Sequence, residues 1–218
     1  MKFLALSSSI SGLLPIVLFL IFHKKNKGLV LWVIFLYALL SFSTDIGFIL
    51  AKSKVAHFRI LYSFTIIEYS FFSIFLYLNL KSKLTKVFLL IGSVFFYAFA
   101  LYSIIKTTNY KFDSLSASIE SILIILYSIL FFFEQLKAPE SPFIYSSKNF
   151  WITVAILIYL SATLFLFISS AYISDEERKT YWPINHVANI IKNVLISIAF
   201  SLNNGKRQSS YIHKTYNI

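Results

Sequence analysis

Five polar side chains, Asn185, His186, Asn189, Lys192 and Asn193, stand in a largely apolar stretch between Pro183 and Asn203. At about 100° per residue they fall within an arc of roughly 120° on a helix. Val187, Ile190, Ile191, Val194 and Ile198 take the opposite side. Three carboxylates, Asp45, Glu68 and Glu120, also lie inside apolar runs. A charged side chain at bilayer depth is expensive unless it faces protein, water or a partner, so it marks a functional site by default. Buried carboxylates of this kind can carry protons or cations, and the whole set can line a ligand cavity.

The elements that must position these groups are membrane helices. The chain has 218 residues, of which 58% are hydrophobic, 19% aromatic and only 13% charged. A soluble domain carries about 25% charged residues. Seven runs, near 3–22, 28–51, 59–80, 85–105, 115–136, 150–174 and 183–203, match the roughly 20 residues needed to cross a hydrocarbon core. The segments between them are short and polar. The expected architecture is an all-α, polytopic bundle of seven transmembrane helices over residues 1–203, with a polar tail over 204–218.

Other polar residues repeat at helical spacing. Asp113, Glu120, Tyr127 and Glu134 are each seven residues apart, a step that drifts only about 20° around a helix. Tyr37, Ser41 and Asp45 form a stripe in the second run; Tyr62, Thr65, Glu68, Tyr69 and Ser73 form a broad face in the third; Tyr159, Thr163 and Ser170 lie along the sixth. Hydrocarbon would penalise each face, so they are expected to face one another. Successive helices alternate in direction. Asp45, Glu120, Asn185, His186 and Asn189 therefore share one membrane half, with Glu68 and Lys192 near mid-depth. The ligand-binding or ion-pathway residues expected on this basis are Asp45, Glu68, Glu120, Tyr127, Tyr159, His186, Asn189, Lys192 and Asn193. Lys192 is expected to pair with Glu68 first and Glu120 second. Polar side chains also glue helices together by hydrogen bonds without any further function, and the Tyr and Ser stripes fit that role equally. The charged run 175–179 reads as a solvated loop, and Glu134 and Glu140 as interfacial.

Several chemistries fit poorly. A zinc hydrolase of the seven-helix ceramidase type needs several intramembrane histidines, whereas His23, His57 and His213 fall in loops or the tail. A retinal-binding lysine is suggested by Lys192, but NIIKNVL lacks the aspartate that rhodopsins place four residues earlier. No Gly-rich phosphate loop, nucleophile elbow or HExxH motif occurs. No cofactor and no metal are expected. Cysteine is absent, which removes disulfides, thiolate nucleophiles and cysteine metal ligands.

A net charge of +11 would point to nucleic acid in a soluble protein. Here the cations cluster at helix ends, in HKKNK at 23–27, KSK at 52–54, KSKLTK at 81–86 and GKR at 205–207. They read as helix caps facing anionic lipid headgroups, and no nucleic-acid partner is expected. The N-terminal run resembles a secretory signal but lacks a small-x-small cleavage site and ends directly in HKKNK. It reads as a retained first helix, weakened by Ser7, Ser8, Ser9, Gly12 and Pro15, and expected to be kinked or peripheral.

The succession FRILYSFTIIEYSFFSIF, FFFEQLKAPES, NFWITVAILIYLSATLFLF and WPINHVANIIKNVLISIAF, within residues 28–203, resembles a bacterial seven-helix membrane domain found alone or ahead of sensor histidine kinases. That resemblance implies a sensory or signalling membrane module of undefined ligand. The chain departs from the kinase-fused members in carrying GKRQSSYIHKTYNI where they carry a kinase, so its output would pass through a partner such as a histidine kinase. The function expected is thus a non-catalytic inner-membrane sensory module that binds a ligand in a polar cavity. The alternatives are a small proton- or cation-coupled transporter or channel and, third, an intramembrane lipid hydrolase similar to small lysoplasmalogenase-like proteins in size only.

Topology follows from Lys and Arg at alternate ends. One side collects Lys24, Lys25, Lys27, Lys81, Lys83, Lys86, Lys137, Lys148, Lys206, Arg207 and Lys214, which is 11. The other collects Lys2, Lys52, Lys54, Arg59, Lys106, Lys111, Arg178 and Lys179, which is 8. The N-terminus is therefore expected outside and residues 204–218 in the cytoplasm. A fluorescent protein fused at the C-terminus should fluoresce, and a phosphatase fused there should be inactive. Phosphatase activity without fluorescence would reverse the orientation.

Overall fold

Within hydrocarbon every backbone N–H and C=O must be paired inside its own segment, so apolar runs of about 20 residues become helices. The computed structural model describes residues 2–106, 114–137, 144–170, 172–173, 177 and 180–202. Its helices are α1 (Lys2–Ser11), α2 (Leu13–Ile21), α3 (Leu29–Leu50), α4 (Lys54–Asn79), α5 (Lys83–Lys106), α6 (Ser114–Lys137), α7 (Lys148–Ser169) and α8 (Pro183–Ser201). With α1 and α2 counted as one span, seven are long and apolar enough to cross a membrane. Among the described residues there is no strand. The protein is an all-α, multi-pass membrane protein.

Helix ends follow local chemistry. The third span begins at Lys54, earlier than residue 59, because the Ser53 hydroxyl accepts the Ala56 N–H at 3.1 Å and so satisfies an orphan donor of the first turn. Proline at the first turn opens α8, where its missing N–H costs nothing. The start of α5 is capped from outside. Glu134, near the end of α6, accepts the N–H groups of Lys81 at 2.6 Å and Ser82 at 3.2 Å, and the Thr85 hydroxyl at 2.5 Å. An anion at a helix N-terminus is favoured by the helix dipole. Glu134 is thus part-buried at the end of the bundle.

The first span is broken, as its composition suggests. The Pro15 ring would collide with the carbonyl of Ser11 in a continuous helix, and the chain turns at Gly12 between α1 and α2. Far from being peripheral, both pieces pack against α8. Asn189 Nδ2 donates to Ser8 Oγ at 2.9 Å, and Asn193 Nδ2 donates to Ser11 Oγ at 2.9 Å. The serines that weaken the helix are the groups that dock it.

Helix α8 packs against α7 on one side and against α1 and α2 on the other. The ring continues from α7 through α6, α4 and α3 back to α2, while α5 lies outside against α4 and α6. Apolar side chains of α5, among them Leu84, Ile91, Val94, Phe95 and Ile105, point outward and give a lipid-facing surface. At the end of the bundle holding the Lys24 to Lys27 turn, Lys148 Nζ donates to Asn26 Oδ1 at 2.5 Å and to the Lys25 carbonyl at 3.0 Å, while Asn26 Nδ2 donates to the Phe200 carbonyl at 3.1 Å. The half of the bundle behind this clasp is filled by buried side chains, including Phe19, Phe35, Phe72, Phe75, Leu76, Phe131 and Phe200.

The α5–α6 contact depends on one glycine. A Cβ built at Gly92 would lie 2.0 Å from Tyr127 Oη and 3.2 Å from Cζ, and the tyrosine ring is fully buried. Gly92→Ala should therefore destabilise the protein by about 1–3 kcal/mol through overpacking. Adding Tyr127→Phe, which deletes the colliding oxygen, should restore most of the loss. Thermal unfolding in a mild detergent measures both, and equal losses in the single Gly92 variant and the double variant would disprove the contact.

Candidate functional site

A cavity of about 350 Å³ opens among the six inner spans, lined by α1, α3, α4, α6, α7 and α8. Its residues come from α1, from the first halves of α4, α6 and α8 and from the later turns of α3 and α7. Because neighbouring spans are antiparallel, all of these lie in one half of the bundle, opposite the aromatic-filled half.

Asp45, Glu68, Glu120, Tyr159, His186, Asn189 and Lys192 all line this cavity. The asparagine and histidine are brought to one wall because Asn185, His186, Asn189 and Lys192 recur at the three- and four-residue spacing of α8. Two expected residues lie elsewhere. Tyr127 is fully buried against α5, its hydroxyl donating to the Leu89 carbonyl at 3.4 Å. Seven residues beyond Glu120, it is two turns deeper and under α5, below the cavity floor. Asn193 turns toward Ser11 and holds α1 in place, outside the cavity lining. Asp113, Glu140 and the run 175–179, apart from Glu177, lie outside the described residues.

The deepest group is the Lys192 ammonium, on a side chain only 1% exposed. The expected direct pair with Glu68 is replaced by a relay. Lys192 Nζ donates to Tyr37 Oη at 2.6 Å, and Tyr37 Oη donates to Glu68 Oε1 at 2.5 Å. The ammonium also lies 4.1 Å from the centroid of the Tyr159 ring, a distance at which the ring quadrupole attracts a cation. Tyrosine fits between the two charged groups because its hydroxyl both donates and accepts, and the chain of short, charge-assisted bonds compensates charges removed from water. Tyr37 already stood in the stripe with Ser41 and Asp45, but its place between lysine and glutamate depends on how α3 packs against α4 and α8.

Glu120 is different. It is 2% exposed, and its Oε1 has no hydrogen-bond partner among the described residues. Asp45 and His186 lie nearer the helix ends, with Trp182 beside them at the start of α8. Sequence reasoning did not single out Ser8, Ser9, Thr44, Phe64 or Trp182 as site residues, yet they complete the walls. Ser8 and Ser9 had only a helix-weakening signature. Among the described residues, no group of three or more His, Asp and Glu side chains is placed to hold a metal ion.

No protein-family model matches the chain, and no curated protein or solved structure is significantly similar to it.

The relay makes Lys192, Tyr37 and Glu68 energetically interdependent. Lys192→Met should cost about 3–5 kcal/mol, because it strands a buried carboxylate. Tyr37→Phe should cost about 1–3 kcal/mol by leaving both neighbours short of a partner. The Lys192→Met/Glu68→Gln double variant should be more stable than the sum of its single effects, as read by unfolding in detergent. Simple additivity of the two single losses would show that these residues do not interact.

Proposed function

We propose that this protein is a non-catalytic sensory module of the plasma membrane, which takes up a small ligand in the polar cavity and passes its presence to a partner protein. The observation that supports this most is the cavity itself. Its volume falls at the lower end of the roughly 300–1,000 Å³ typical of small-molecule sites, and its polar groups converge as such sites require. It is confined to one half of the bundle. The other half is packed with buried aromatic and aliphatic side chains and closed by the Asn26–Lys148 clasp, an arrangement suited to a binding pocket rather than to a path across the membrane. The resemblance to membrane domains that precede histidine kinases points the same way, and with the C-terminus in the cytoplasm the signal would leave on that side. The cavity then faces the exterior.

A second reading has one observation in its favour. Glu120, buried and lacking a partner at Oε1 among the described residues, has the character of a carboxylate that carries a proton or cation in a coupled transporter.

Proteoliposomes containing an internal pH dye and held at an imposed membrane potential separate the two. The sensory reading expects proton and cation fluxes equal to those of protein-free liposomes. Protein-dependent flux that Glu120→Gln abolishes would overturn it in favour of the transporter.

A further inference from the structure

Charge is unevenly distributed in the cavity. Three carboxylates, Asp45, Glu68 and Glu120, line it against one ammonium, Lys192. That ammonium is already committed: it donates to Tyr37, whose hydroxyl donates to Glu68, and the face of Tyr159 covers it. Lys192 and Glu68 thus balance one another within the protein. Asp45, to which Ser9 donates, and Glu120 feel the same ammonium at longer range, so one lysine serves three carboxylates in the lining. Glu120 is the more telling of the two, because a carboxylate 98% removed from solvent with an oxygen lacking a partner is costly to keep in place. It belongs to the cavity lining, while Oε1 itself is shielded by protein, so the carboxyl group would turn toward the cavity to meet an occupant.

The remaining walls fit the same occupant. Phe48, Phe64 and Trp182 line the same cavity as Asp45, and aromatic faces attract organic cations as well as apolar groups. An anionic ligand would meet three carboxylates, and Lys192, the one ammonium in the lining among the described residues, is already engaged.

We propose that the cavity binds a small organic cation, an amine carried on an apolar body, with Glu120 as its buried carboxylate anchor and Asp45 as the acid it meets nearer the mouth. This rests on the ligand-binding reading above and adds the chemical class of ligand. The amine would donate to Glu120, while its apolar body would fill the space between Phe64 and Trp182.

Three probes of matched shape test this on the full-length protein in detergent micelles: benzylamine, benzyl alcohol and benzoate. Binding is read by thermal unfolding and by tryptophan fluorescence, with Trp182→Phe identifying the fluorescence that comes from the cavity. Benzylamine should raise the unfolding temperature and change Trp182 fluorescence saturably. Benzyl alcohol and benzoate should bind about tenfold more weakly or worse, and Glu120→Gln should weaken benzylamine by a similar factor. Should Glu120→Gln fail to fold, Asp45→Asn at the more exposed position serves as the second variant, with a smaller but measurable loss. Benzoate or benzyl alcohol binding as well as benzylamine would overturn the cationic preference while leaving the cavity a ligand site. Undiminished benzylamine binding in the charge-removing variants would overturn the anchor. If none of the probes moves either signal, both the cationic preference and the ligand-binding reading fall.

Discussion

A lysine ammonium buried at the centre of a membrane helix sets the terms for the rest of this bundle. Insertion scales put the cost of such a charge at about 2.5–3.5 kcal/mol, and the protein offsets it with a relay that spans three helices. Lys192 belongs to α8, Tyr37 to α3 and Glu68 to α4, so meeting one ammonium fixes the mutual placement of three spans. Lipid tails are as apolar as leucine, and helices in a bilayer gain little from the hydrophobic effect. Polar contacts of known geometry therefore carry much of the specificity. The Asn189–Ser8 and Asn193–Ser11 bonds set α1 against α8, and Asn26 bonded to the Phe200 carbonyl holds the far end.

The same constraint divides the molecule into two unlike halves. Where the polar groups converge, side chains cannot close-pack without losing partners, and space remains. Where they are absent, Phe19, Phe35 and Phe200 stack or meet edge to face, and Phe72 packs against the Tyr37 ring. Tyr37 sits at the boundary. Its ring belongs to the aromatic half, and its hydroxyl belongs to the relay. The floor of the cavity is therefore also the upper surface of the packed core, so a change in the charges above it bears directly on that core.

Much of this could be read from residue spacing. Seven spans follow from run length, and the alternation of helix direction puts Asp45, Glu120, His186 and Asn189 in one membrane half, with Glu68 and Lys192 near mid-depth. What spacing could not supply is lateral placement. Glu120 and Tyr127 share a stripe on α6, yet one meets the cavity and the other meets α5, because a neighbour's position is set by packing between helices rather than by periodicity within one. Asn189 and Asn193 diverge for the same reason, one lining the cavity while bonded to Ser8, the other wholly engaged with Ser11. The relay was hidden at this level too: depth brings Lys192 and Glu68 together, but only the packing of α3 shows that a tyrosine stands between them.

The broken first span shows how a local defect becomes a structural device. Gly12 and Pro15 prevent one continuous helix, and the two pieces then answer to different surroundings. On the cavity side, α1 presents Ser8 and Ser9 to the lining; on the packed side, α2 delivers Phe19 into the aromatic core. The break is confined to one residue, since Gly12 keeps right-handed helical dihedral angles, and the hydroxyl of Ser11, just before it, closes the junction by donating to the Ser8 carbonyl while accepting from Asn193. Residues that lower helix propensity thus allow one span to serve a polar cavity and an apolar core in succession.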